Sequence, residues 1–332
     1  MSRPAALRIA VLMGGPSAEH AISLKSGQGV VAALRDRGWA AEPVVVPEQG
    51  TRDEAQAWLG GTLRERSPDV AFIALHGAFG EDGTVQEICE ALHLPYTGSD
   101  AHASRLGIDK VASRSRFAAA GLPVPRCALV DIGASASSQH GLPYPVVVKP
   151  VDQGSSIGVS VARAPDDLAA ALALAGRYGP QALVEEFVSG REVTAGVLGD
   201  LALPVVEIRP THPFFDFGAK YTAGQTEYLV PAPLEPAVAQ CVQAAGLAAH
   251  RALGCRHLSW SDIILTPAGE PVVLELNTIP GFTPTSLLPK AAACLRIDYG
   301  ALCERLVRMA WADRRGQTPC TRGLTPFMAS AG

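Results

Sequence analysis

Cysteine pairs with metal-ligand spacing are missing from this sequence. The seven thiols (Cys89, Cys127, Cys241, Cys255, Cys294, Cys303 and Cys320) are dispersed and form no Cys-x-x-Cys. An odd, scattered set reads as reduced thiols, most of them small core hydrophobes, and points to a cytoplasmic protein rather than a disulfide scaffold. Long apolar runs are missing too. Nothing reaches the roughly 18 consecutive apolar residues of a membrane span, and MSRPAA leads straight into a core strand, so neither a transmembrane helix nor a signal peptide is expected. No basic cluster or tail occurs and the formal net charge is -4, which argues against a nucleic-acid partner. Charged residues are sparse at 18%, while 48% of the residues are apolar, the composition of a globular protein with ample core. Spread over 332 residues, that material suggests two or three domains. There is no GxxxxGK[ST], so a nucleotide, if bound, is not held by a P-loop.

What is present begins with an α/β opening. The run 7–13 is apolar, Gly14-Gly15-Pro16-Ser17 turns, and a helical pattern follows from Ala18 to Arg37, with Ser17 as N-cap and Glu19 in the first turn. Read alone, Glu19 is a carboxylate complementing the helix dipole. Gly27-Gln28-Gly29-Val30-Val31-Ala32 spells a dinucleotide fingerprint but lies inside the helical pattern, so it is set aside. Further strands are expected at 41–46 and 70–75, with a helix over 52–63 between them. The second strand delivers His76 into the glycine-rich loop Gly77 to Gly83, at the strand end where parallel sheets bind ligands. A helix over 84–92 and a short strand at 94–98 close this unit near residue 100.

One helical pattern covers 100–120, with Lys110 in its middle. A strand over 144–150 then ends in Lys149, and Gln153-Gly154-Ser155-Ser156-Ile157-Gly158 joins it to a second strand at 159–162, a hairpin whose loop can close over phosphates. After a helix over 165–175, the strand 182–188 carries Glu185-Glu186, either a surface presented to a base and ribose or solvated edge charge. Residues 211–231 are aromatic and turn-rich, the composition of a lid carrying Lys220 and Tyr221. A helix over 236–253, an amphipathic helix over 299–314 and a fraying tail complete the chain. Between the last two helices lies the chemically densest stretch, 258–289. Asp262 at a strand entry, a turn at 266–269, Glu275 at a strand end and Asn277 place three oxygen donors on a predicted hairpin, which suits a hard cation shared with substrate phosphates.

Six fragments occur in order: GGPSAEHAISLKSG, ALHGAFGEDGTVQ, LPYTGSDAHAS with a following DK, VVVKP with GSSIGVS, FDFGAKY, and LELNTIPGFT before TSLLP. Over residues 11–290 they resemble the D-alanine:D-alanine ligase family of ATP-grasp enzymes. The resemblance implies an α/β and α+β fold: an N-terminal Rossmann-like parallel domain (1–100), a central ATP-grasp subdomain (101–188), a C-terminal one with the lid (189–315), and a tail (316–332). It implies an ATP-dependent ligase that joins two D-alanine molecules through an acyl phosphate for peptidoglycan synthesis, with two magnesium ions, replaceable by manganese, in a cytoplasmic homodimer.

Carried over to this sequence, Lys110 and Lys149 contact ATP phosphates, Glu185, Glu186, Phe187 and Val188 hold adenine, and Glu192 holds ribose. Ser155 and Ser156 sit over the phosphates and Lys220 reaches the γ-phosphate. Asp262, Glu275 and Asn277 are metal ligands. Glu19 anchors the first D-alanine's ammonium, with His76 near its carboxylate and Ile22 among the substrate-binding residues, while Gly281, Ser286 and Leu287 form the second pocket. Glu19, Ser155 and Tyr221 form a closing triad.

One position departs. Where this family carries Arg-x-Asp, the chain has Trp260-Ser261-Asp262. The missing arginine contacts the second substrate's carboxylate and the oxyanion, and an indole offers one donor and no charge. Losing such a contact costs about 2.7 to 4 kcal/mol of transition-state stabilisation. Three consequences are open: a weaker D-alanine ligase, a changed second substrate, or replacement by another cation such as Arg256 or Lys290. A regulatory protein that binds nucleotide without catalysis is disfavoured by retention of every metal ligand and the lid lysine.

Overall fold

The computed structural model describes residues 7–132, 140–154, 157–210 and 226–314. Its first sheet is parallel, built from β1 (Arg8–Gly14), β2 (Ala40–Val46) and β3 (Val70–Ile73) in the order β2-β1-β3. β1 is buried on both faces, which is why it reads as an unbroken apolar run. On one face lie α2 (Arg52–Arg66) and α3 (Thr84–Ala91), packed on Ala10, Leu12 and Ile73. On the other lies α1 (His20–Asp36), joined by the last helix of the chain, α9 (Tyr299–Asp313), whose Leu302, Leu306 and Val307 share a core with Ile9, Val11 and Phe72. The expected C-terminal helix is therefore also a layer of the N-terminal unit, clamped by the Arg37 guanidinium on Asp298 at 2.8 Å and Glu304 at 3.3 Å. Gly27 serves packing: a Cβ there would come 2.5 Å from Met13 Cβ. The strand expected at 94–98 is a single bridge from Tyr96 to Ala71.

The helix expected over 100–120 is two helices, α4 (Ala101–Ile108) and α5 (Lys110–Ala119). Asp109 breaks it, taking extended backbone angles and accepting hydrogen bonds from the N–H groups of Val111 and Ala112 at 2.9 and 3.0 Å. Acidic side chains favour such caps over helix interiors. As a result Lys110 starts a helix instead of sitting within one.

A four-stranded antiparallel sheet follows, made of β4 (Cys127–Asp131), β5 (Val146–Pro150), β6 (Ser160–Ala162) and β7 (Gln181–Glu186) in the order β4-β7-β5-β6, with α6 (Pro165–Ala175) against its back. The third sheet contains β8 (Arg191–Leu198), β9 (Leu201–Ala202), β10 (Val206–Pro210), β11 (Thr226–Leu229), β12 (Leu258–Leu265) and β13 (Pro271–Asn277). Its order is β11-β10-β8-β12-β13, with β9 on β8, and α7 (Pro236–Ala252) packs behind it. The short helix α8 (Leu287–Cys294) leads to α9. Residues 226–229, expected within the lid, form β11 paired to β10. Of the expected lid, 211–225 lies outside the described residues, as does the tail 316–332.

The thiols are less buried than expected. Cys89 and Cys303 are core residues, with burial pushing both thiols up to about 12, but Cys127, Cys241 and Cys294 are exposed. All six described cysteines are free.

His250 on α7 is buried, with Nδ1 2.7 Å from Ser259 Oγ on β12. Burial holds its imidazole down at about 4, against a weaker upward pull from Asp200. The unfolded chain, with a histidine near its ordinary 6.5, binds the extra proton first as pH falls, so stability is full above that value and declines toward 4. Urea unfolding at pH 5 is expected to show a loss on the order of 2 kcal/mol relative to pH 8. His250→Asn should flatten that part of the profile; an unchanged slope would remove His250 as its cause.

Candidate active site

Antiparallel pairing of β12 and β13 sets Asp262 opposite Glu275 and Trp260 opposite Asn277. Residues two apart share a face, so all four side chains project from the same side of the sheet. Ile263, Val273 and Leu276 project from the other side into the core. A register shift between Asp262 and Ile263 lets Ile264 and Leu274 both reach the same cavity as the two carboxylates. On the neighbouring strand β8, Glu192, Thr194 and Gly196 pair with Ile264, Asp262 and Trp260, and so extend this face. Asp262 and Trp260 are mid-strand residues, not a strand entry; the fixed pleat of two neighbouring strands holds them.

The face is divided between two cavities that share Asp262. One, of about 730 Å³, is also lined by Lys110, Lys149, Glu185, Glu186, Phe187, Val188, Glu192 and Glu275. The other, of about 590 Å³, is lined by Glu19, Ile22, His76, Trp260, Asn277, Gly281, Ser286 and Leu287. Every described residue expected at the site borders one or both. Ser155, Ser156, Lys220 and Tyr221 lie outside the described residues.

In the larger cavity a buried charge cluster joins two sheets and a helix. Lys149 Nζ lies 2.6 Å from Glu185 Oε2, and Arg114 Nη2 lies 3.0 Å from Glu185 Oε1. Cross-strand pairing of β5 with β7 brings this lysine's strand beside Glu185's. The Glu185 side chain is therefore bound to two cations, and Glu186, on the alternate face, instead takes Arg126 at 2.6 Å. Lys110 donates to the Gln153 carbonyl, and its Nζ stands 3.7 Å from Glu275 Oε2. Burial pulls the Lys110 ammonium below the ordinary lysine range, opposed by Glu275 and reinforced by Lys149. Buried ammonium groups facing a cavity of this size are complementary to phosphate. Among the described residues no group of three or more His, Cys, Asp or Glu is arranged to hold a metal. Two directly opposed carboxylates and an amide nevertheless fit a hard cation that takes its remaining ligands from phosphates.

In the smaller cavity, Glu19 occupies the N-cap position of α1 but makes no capping bond with its side chain. Ser17 instead donates through Oγ to the His76 carbonyl at 2.8 Å and accepts from the Glu19 N–H at 3.2 Å. Gly77 has φ +68, and a Cβ there would lie 2.6 Å from Glu19 Oε2, so a glycine lets this carboxylate approach the loop. His76 is buried, with Nε2 3.0 Å from Ser26 Oγ and Nδ1 3.7 Å from Glu81 Oε1. Burial raises the Glu81 carboxyl, while hydrogen bonding to His76 opposes the rise and the Glu19 charge adds to it. Glu81 went unassigned in the sequence reading although it sits in the quoted GEDG loop; Arg114, the second cation on Glu185, carries no local motif.

The indole of Trp260 lies across β8, where a Cβ on Gly196 would come 3.1 Å from its Cε3. Neither suggested replacement cation reaches it. Arg256 is engaged by Asp313 at 3.1 Å and lies over the Tyr96 ring, while Lys290 stands 5.8 Å from the Tyr228 ring centroid, and neither lines the cavity.

Two family models match the chain, D-ala D-ala ligase N-terminus over residues 50–99 and D-ala D-ala ligase C-terminus over 116–308. A D-alanine-D-alanine ligase of Geobacter sulfurreducens is 46% identical over 312 residues, spanning 93% of this chain and 96% of that protein. One from Granulibacter bethesdensis is 44% identical, spanning 91% and 97%. Among solved structures, the D-alanine-D-alanine ligase of Bacillus anthracis complexed with ATP superimposes with a TM-score of 0.77 at 29% identity, covering 94% of this chain and 99% of that one. The VanG D-Ala:D-Ser ligase of Enterococcus faecalis gives 0.78 at 29% identity, covering 92% and 100%.

Proposed function

This chain belongs to the D-alanine-D-alanine ligase family, and from that membership we propose that it is an ATP-dependent ligase that joins two D-alanine molecules for peptidoglycan synthesis. The observation that carries the reading is the meeting of two cavities at Asp262, one lined by buried ammonium groups and the other by the Glu19 carboxylate. The fold is ATP-grasp, and the proposed units 1–100, 101–188 and 189–315 each contain one of the three sheets.

In the first step, an oxygen of the first D-alanine's carboxylate attacks the γ-phosphorus of ATP, and the bond to the ADP oxygen breaks. Lys110 and Lys149 orient the phosphates and offset their charge, while Glu19 holds the ammonium so that the carboxylate points across Asp262. In the second step, the neutral amine of the other D-alanine attacks the activated carbonyl carbon, the C–N bond forms, the acyl C–O bond to phosphate breaks, and inorganic phosphate leaves with the proton given up by the amine. Asp262, Glu275 and Asn277 are the proposed ligands of magnesium, which when bound would offset charge on the phosphate oxygens. Water must be kept from the acyl phosphate, the role proposed for the lid expected over 211–231.

Trp260 favours a second reading, a ligase with a different amine partner, because it places an uncharged ring in the amine-accepting cavity. Mass spectrometry of products from ATP, magnesium, D-alanine and a panel of amino acids separates the two. D-alanyl-D-alanine as the main product is expected. A mixed dipeptide in its place would establish the second reading, and no ATP-dependent dipeptide would overturn both.

A further inference from the structure

The smaller cavity has three carboxylates at its walls, Glu19, Glu81 and Asp262, yet under the proposed function it must receive a second amino acid whose own carboxylate stays unreacted. Among the described residues, Lys25 supplies the only ammonium or guanidinium group lining it. Glu19 at the N-cap of α1 and Ile22 and Lys25 in its first turns are spaced three residues apart, and all three border the cavity, so the start of this helix runs along it. Farther along the helix, a Cβ on Gly29 would lie 3.3 Å from Pro284, in the loop that forms the far wall. Lys25 is exposed and, among the described residues, makes no ion pair or hydrogen bond.

The lengths agree. Six residues of helix separate Glu19 from Lys25 by about 9 Å along the axis. A dipeptide spans roughly 7 Å, and a hydrogen bond of about 3 Å at each end brings the requirement to about 13 Å, within reach of two side chains that splay apart. The helix thus carries an anion for the ammonium end of the product and a cation for its carboxylate end.

We propose that Lys25 binds the carboxylate of the second amino acid and makes this ligase specific for acceptors that carry one, in a cavity where Trp260 provides no charge. The inference rests on the proposed ligase reaction. Lysine suits the role as a mobile point charge at the mouth, in contrast to a fixed guanidinium fork on a strand.

The test is steady-state kinetics of Lys25→Ala and Lys25→Arg, with D-alanine or D-alaninamide as acceptor. Lys25→Ala should raise the KM for the second D-alanine about tenfold to a hundredfold, the range of a hydrogen bond to a charged group, while leaving the KM values of ATP and of the first D-alanine unchanged. Lys25→Arg should restore most of the loss. With D-alaninamide, which lacks the charge, Lys25→Ala and the unsubstituted enzyme should perform alike. An unchanged KM for the second D-alanine, or an equal loss with D-alaninamide, overturns the role of Lys25 while the ligase reading stands. Failure of the unsubstituted enzyme to make D-alanyl-D-alanine overturns both. An unchanged thermal midpoint for both variants is expected from the exposure of the side chain.

Discussion

Asp262→Asn is expected to lower kcat by about a hundredfold to a thousandfold, the usual cost of removing one preorganised electrostatic contact at a phosphoryl-transfer site. Asp262 is the single carboxylate common to both cavities among the described residues, so under the proposed reaction its charge would act where γ-phosphate and amino-acid carboxylate meet. Glu275→Gln should lower kcat in the same range, with an added effect on Lys110, whose ammonium stands 3.7 Å away. Two readouts separate a metal-holding role from a structural one. Equilibrium titration with manganese should show affinity reduced by more than about tenfold in either variant. The thermal midpoint of metal-free Asp262→Asn should not fall by more than about 2 °C, since neutralising one of two opposed carboxylates relieves repulsion across β12 and β13. Unchanged manganese affinity in Asp262→Asn would remove this residue from the ligand set.

Much of this arrangement was legible in the sequence, and the parts that were not share a cause. The hairpin was readable from two apolar runs and a turn at 266–269, and alternation puts Glu275 and Asn277 on one face; regular pairing from that turn would set Asp262 opposite Leu274, and only the register shift after Asp262 brings it opposite Glu275. Asp109 was readable as a polar residue but not as a break: the helical pattern continues through it, and only its capping bonds end one helix and begin the next. The edge strand β11 escaped because residues in an aromatic, turn-rich stretch gain strand geometry by pairing, here with β10, and pairing is nonlocal. The same holds for α9, whose amphipathic pattern announces a buried stripe without saying that its partner is the sheet formed nearly 300 residues earlier. Charge partners are the extreme case: Arg114 has no motif, and Lys25 stands out only because, among the described residues, no other ammonium or guanidinium group lines its cavity.

The dipeptide Glu185-Glu186 shows how far that nonlocality goes, and it carries the second large prediction. Adjacent residues on β7 point to opposite faces, and here the faces differ in everything that sets the energy of a carboxylate. The Glu185 side chain is 4% exposed and is held by Lys149 at 2.6 Å and Arg114 at 3.0 Å, both themselves 8% exposed. Glu186 is 27% exposed and pairs with an Arg126 that is 65% exposed. Glu185→Ala strands two buried cations, one of them an arginine whose Nε and Nη1 already have no partner among the described residues. Breaking a buried pair in this way costs about 3 to 5 kcal/mol, which for a chain of this size lowers the thermal midpoint by on the order of 10 °C. It should also weaken ATP binding, because Lys149 loses the contact that aims it into the nucleotide cavity. Glu186→Ala breaks a solvent-screened pair instead, and a change of only about 0 to 1 kcal/mol is expected. Urea denaturation and ATP titration of the two variants side by side measure the contrast. Equal, small effects would mean that Glu185 is not the anchor of Lys149, whereas a large effect confined to Glu185→Ala assigns this carboxylate to holding the lysine proposed to contact the phosphates.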